Sequence, residues 1–88
     1  VKKIVELTYT VEVEWDESTD VVSRGLDPEW QRSFYSFADE DDVVAHLAGN
    51  VGVKFLHVDN LDGWADVSHR AFTARVTACE TVDVRDAE

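Results

Sequence analysis

The stretch Lys3–Trp15, KIVELTYTVEVEW, changes character at every step. Val5, Leu7, Tyr9, Val11, Val13 and Trp15 fall on one side of an extended chain, and Glu6, Thr8, Thr10, Glu12 and Glu14 on the other. Side chains of a strand point alternately to opposite faces, so a period of two marks a strand buried on one face only. The apolar set is β-branched or aromatic, which suits a pleated surface.

A partner of matching length lies near the other end, FTARVTACETVDV, Phe72–Val84. Its alternation places Phe72, Ala74, Val76, Ala78, Val82 and Val84 on one face, and Thr73, Arg75, Thr77, Cys79 and Thr81 on the other. The closing RDAE reads as a frayed end.

Between these strands the chain changes register. Asp16–Pro28 carries acids, Ser, Gly25 and the only proline, and reads as a long loop. Asp27, Pro28 and Glu29 would suit a helix start, but the aromatic run that follows favours a strand from about Gln31 to Phe37. ADEDDVVAHLAGN predicts a helix: Asp39 caps it, and Glu40, Asp41 and Asp42 sit where the macrodipole favours anions. Val43, Val44, Leu47 and Ala48 form its apolar face. Gly49 and Asn50 mark a stop, although helical spacing through Val51 allows a run to about Phe55. The expected architecture is therefore α+β in β–β–α–β order. It is a three-stranded antiparallel sheet with one main helix packed on one face, where Val44, Leu47 and Val51 meet the inward residues of both long strands.

Eighty-eight residues, 44% of them hydrophobic and nine aromatic, predict a single small acidic domain spanning 1–88. A lone cysteine, Cys79, excludes an internal disulfide and a zinc cluster, and fits a reducing cytoplasm. No apolar run approaches the ~20 residues of a membrane span, and the opening VKKIVELTYTV alternates where a signal peptide would be continuously apolar.

Nineteen acids against eight Lys plus Arg leave a net charge of −11. Such a field opposes direct binding to nucleic acid or to anionic lipid. Three readings of it remain: a solvated surface, steering toward a basic partner, and imitation of DNA by ordered carboxylates.

Val58–Asp66, VDNLDGWAD, is the stretch that looks most like a site. Aligned as a calcium loop on Gly63, it offers Asn60, Asp62 and Asp66 at acceptable positions. Val58 then falls where the first carboxylate belongs, and His69 where the bidentate glutamate belongs, so calcium is not expected. His46, His57 and His69 lack the i, i+4 spacing of a helical metal pair. No nucleophile elbow or phosphate-cradling glycine loop is present, and no enzyme activity or cofactor is expected. Trp15 reads as core, whereas Trp30 and Trp64 lie among acids at loop positions and either cover a core edge or anchor an interface.

RSFYSFADEDDVVAHLAGN (32–50) followed by LDGWADV (61–67) resembles small uncharacterised acidic proteins encoded by phages of actinobacteria. The resemblance implies an accessory protein working in a host cytoplasm. It brings no established biochemical activity, and hence no functional residues to carry over.

The expected function is non-enzymatic: an accessory protein that binds another protein, a basic host factor foremost. The contact candidates are Glu40, Asp41, Asp42, Asp62, Trp64 and Asp66. A homo-oligomeric interaction domain and a DNA mimic that inhibits a DNA-binding protein are the alternatives.

Overall fold

The computed structural model describes residues 1–87 and measures 46 × 27 × 21 Å. Both long strands form, as β1 (Lys3–Trp15) and β2 (Phe72–Asp86), and they pair antiparallel. No third strand joins them among the described residues, so the sheet has two strands where three were expected.

The segment expected as the middle strand is instead helix α1, Pro28–Ser33. Local capping outweighs the β-propensity of its aromatics: the Asp27 carboxylate accepts from Glu29 N–H at 2.9 Å, and Pro28 at the first position is already set to a helical φ. Helical spacing also puts Trp30 and Phe34 on one face, their ring centroids 5.0 Å apart. Gln31 then fastens the turns on either side, donating from Nε2 to the carbonyls of Gly25 (2.8 Å) and Phe37 (3.1 Å).

Helix α2, Glu40–Leu47, begins where expected, with the Asp39 carboxylate accepting from Asp42 N–H at 2.9 Å. Asp42 answers by accepting from Ala38 N–H at 3.0 Å, a reciprocal cap on the first turn. Gly49 does not stop the chain. It continues as a π-helical segment, Ala48–Val53, in which Lys54 N–H reaches back five residues to the Gly49 carbonyl at 3.1 Å. Gly52 is required there, since a Cβ would lie 2.8 Å from Val11 Cγ1. The helical run ends at Val53 with Lys54 as its cap, short of Phe55, which adopts a left-handed φ of 58°.

Residues 16–71 thus form one inserted body whose ends meet at the root of the ribbon, where Asp16 N–H donates to the Ala71 carbonyl at 2.9 Å. Its core holds Val21, Val22, Val43, Leu47, Val58, Leu61 and Trp64, together with Ala71 and Phe72. Val21 and Val22 come from the stretch expected to be only loop, which also carries a 3₁₀ turn at Ser23–Leu26.

Helix α2 and its π extension cover only the root of the ribbon, against Val11, Val13, Trp15, Phe72 and Ala74. Beyond Val11 the ribbon projects bare, and Val5, Leu7 and Tyr9 are exposed. The expected meeting of inward strand residues with the helix is therefore confined to the root of the ribbon, and Val5, Leu7 and Tyr9 take no part in it.

Faces shift as well. Glu6 is opposite Asp83 but Leu7 is opposite Thr81, and Thr10 is opposite Ala78 but Val11 is opposite Val76. Val82 and Thr77 are thus extra residues, and each bulge reverses the alternation of β2. Cys79 and Thr81 consequently lie opposite Tyr9 and Leu7, on the face expected to hold only the apolar set. No helix among the described residues is long and apolar enough to cross a membrane.

Candidate functional site

A turn built around Gly63 shapes an open hollow of the body. After a 3₁₀ turn at Val58–Asn60, the chain buries Leu61, reverses at Gly63 (φ 96°) and buries Trp64. Only glycine fits, because the φ is left-handed and a Cβ would lie 2.5 Å from Trp30 Cζ2.

The Trp64 ring is completely buried, and its Nε1–H donates to the Val21 carbonyl at 2.7 Å. Trp30 stands over it edge to face, with centroids 4.9 Å apart, and donates from Nε1 to the Gly63 carbonyl at 3.2 Å. Tyr35, Phe37 and His46 extend this aromatic cluster, with His46 4.6 Å from Tyr35 and 5.8 Å from Trp64. Burial disfavours the imidazolium, and the Lys54 charge adds to the effect, so the His46 pKa lies below its ordinary value.

Arg24 locks the turn. Its Nη1 donates to the Gly63 carbonyl (2.8 Å) and to Asp66 Oδ1 (2.6 Å), and its Nη2 donates to Asp20 Oδ1 (2.7 Å). Desolvation alone would disfavour the guanidinium charge, but the two carboxylates overcome it and hold the Arg24 pKa above its ordinary value. The same hydrogen bond to Arg24 holds Asp66 below the usual carboxylate range.

The result is an open cleft of about 520 Å³, floored by Trp30 and Phe34, walled by Arg24 and Leu61, and rimmed by Asp59, Asp62 and Asp66. Arg24 between Asp20 and Asp66 leaves that cluster one net negative charge, and Asp59 and Asp62 form no ion pair among the described residues. One carboxylate oxygen of Asp59 is buried without a hydrogen-bond donor among the described residues. Such an oxygen keeps its desolvation cost until a donor reaches it.

The six contact candidates do not form one patch. Asp62 and Asp66 line the cleft, Asp66 already engaged with Arg24. Trp64 is removed from the contacts because its ring is core. Glu40 lines a separate, smaller hollow with Trp15 and Leu26, Asp41 is exposed, and Asp42 is engaged in the α2 cap. Trp30, Phe34 and Asp59 belong to the site instead; their signal was the Trp30/Phe34 helical spacing behind a Pro28 start. No group of three His, Cys, Asp or Glu side chains suited to a metal ion occurs among the described residues. No family model, curated protein or solved structure matches this chain.

Proposed function

We propose that the chain is a non-enzymatic accessory protein that binds a basic protein partner at the Gly63 cleft. In the setting implied by its phage-like sequence, that partner is a host factor. The reading is carried by one juxtaposition: the half-buried Trp30 and exposed Phe34 rings lie beside Asp59 and Asp62, whose charge no cation among the described residues takes up in the cleft. An arginine or lysine of a partner would stack on the rings and present donors to the carboxylates. The body supplies the long-range attraction, since residues 16–71 hold twelve acids against four bases, a net charge of −8.

The test is capture of host proteins on the immobilised chain, at about 50 mM and at about 0.5 M salt, with wild type and with Asp62→Asn and Phe34→Ser. A partner held at low salt, released at high salt and lost in both variants, with their melting unchanged, supports the reading. Retention indifferent to salt and to both substitutions refutes it.

A further inference from the structure

The bare ribbon has a different character from the body. Residues 1–15 and 72–86 carry Lys2, Lys3, Arg75 and Arg85 against six acids, a net charge of only −2. In its projecting part, Val5, Leu7 and Tyr9 of β1 share a face with Val84, Thr81 and Cys79 of β2, and the charges of that face, Lys3 and Asp86 at its outer end, pair with each other at 2.8 Å. Val5, Leu7, Tyr9 and Val84 are 52%, 44%, 41% and 51% exposed. A two-stranded ribbon is marginal by itself, and a third strand or a packed face is what normally sustains one.

The two free edges are unequal. Both bulges lie in β2, where Thr77 and Val82 break the ladder and twist the edge. β1 runs unbulged for thirteen residues and presents a regular row of backbone donors and acceptors.

We infer that the β1 edge pairs antiparallel with the β1 edge of a second copy of this chain, giving a continuous four-stranded sheet. The charge pattern along β1 selects this occupant and its register. Lys2 stands at one end and Glu12 and Glu14 at the other, so antiparallel self-pairing brings opposite charges together. Registers must keep odd residues opposite odd ones to match faces. A two-fold axis at Glu6 would oppose Glu6 to itself, and an axis at Tyr9 would oppose Glu6 to Glu12. An axis at Leu7 or Thr8 opposes no like charges and places Lys2 against Glu12 or Glu14.

In those two registers the bare tip of each ribbon gains cover. Val5 comes to lie opposite Tyr9 or Val11 of the second copy, and Leu7 opposite Leu7 or Tyr9, so the apolar faces join on one side of the sheet. The root at Val11 is the part that Gly52 and the π-helical segment already cover. The interface uses none of the cleft residues and stands independently of the proposed basic partner.

Sedimentation or light scattering of the purified chain tests it, in combination with charge exchange across β1. Wild type is expected to show a concentration-dependent dimer. Lys2→Glu alone, and Glu12→Lys with Glu14→Lys, should each weaken self-association by about tenfold, while an equimolar mixture of the two variants regains it. Leu7→Asp, at a residue already exposed, should leave a folded monomer by circular dichroism. Asp62→Asn should leave the dimer unchanged. A wild type that stays monomeric to about millimolar concentration overturns the inference, as does a dimer that none of the β1 substitutions alters.

Discussion

The Trp64 indole N–H and the Val21 carbonyl, 43 residues apart in sequence, meet at 2.7 Å inside the core. This bond ties the Gly63 turn to the first loop of the body, and both partners are fully buried. Each would carry an unmet polar group if the other were lost.

Trp64→Phe is therefore expected to cost about 2–4 kcal/mol, combining a stranded Val21 carbonyl with a partly unfilled site. Urea denaturation measures it. A loss below about 0.5 kcal/mol would show that the bond contributes little to stability.

Gly63→Ala places a methyl 2.5 Å from Trp30 Cζ2 and puts a side chain at φ 96°. The expected destabilisation is about 2–4 kcal/mol, with Trp30 fluorescence displaced as the ring moves out of the cleft. A variant with wild-type melting and emission would contradict the described turn.

Phe55 holds a left-handed φ of 58° with its ring 85% exposed, so the residue bears backbone strain and gains little from burial. Phe55→Gly should stabilise the fold by about 0.5–1 kcal/mol once the greater freedom of glycine in the unfolded chain is deducted. Thermal melting checks the sign, and destabilisation would mean that the ring has a role in the folded state.

His46 gives the stability an acid-sensitive step. Its folded pKa lies below the ordinary 6.5, so on acidification the unfolded chain takes the proton first. The contribution is complete above 6.5 and declines as pH falls from there toward the folded value. Melting at about pH 7.5 and about pH 5.5 should separate wild type from His46→Gln, the variant losing less on acidification. Asp66 and Asp16, both held below 3.8, act in a lower window: their contributions are present above 3.8 and disappear as pH falls through their folded values. Equal pH slopes for wild type and His46→Gln would remove the histidine from this account.

What was legible in the sequence was local. The alternation of Lys3–Trp15 and Phe72–Val84 reveals two strands because the period of a strand is written in adjacent residues. Asp39 and the acids after it disclose the start of α2 for the same reason. The stretch after Pro28 held two local signals in conflict, a helix cap and a run of aromatics, and the cap prevailed because the rings stack on the same face of α1 and against Trp64. The candidate site was half legible: Asp62, Gly63 and Asp66 stand in one short stretch, but Arg24, Trp30 and Phe34 reach it from elsewhere in the chain. Arg24 among Asp20, Asp27 and Glu29 was a visible cue, since a lone base among acids calls for a partner, though its spacing to Asp66 was not readable.

By itself, then, the sequence determined the two long strands, the start of α2, the strongly acidic balance and the glycine turn, all consequences of periodicity, capping and composition. Tertiary structure alone decided that no third strand joins the pair among the described residues, that two bulges turn Cys79 and Thr81 onto the apolar face, and that Trp64 is core while Trp30 lines the cleft. Those outcomes depend on which distant surfaces meet. An extra residue in β2 or a ring behind a turn is placed by packing against residues far away in the chain, and no local pattern encodes that distance.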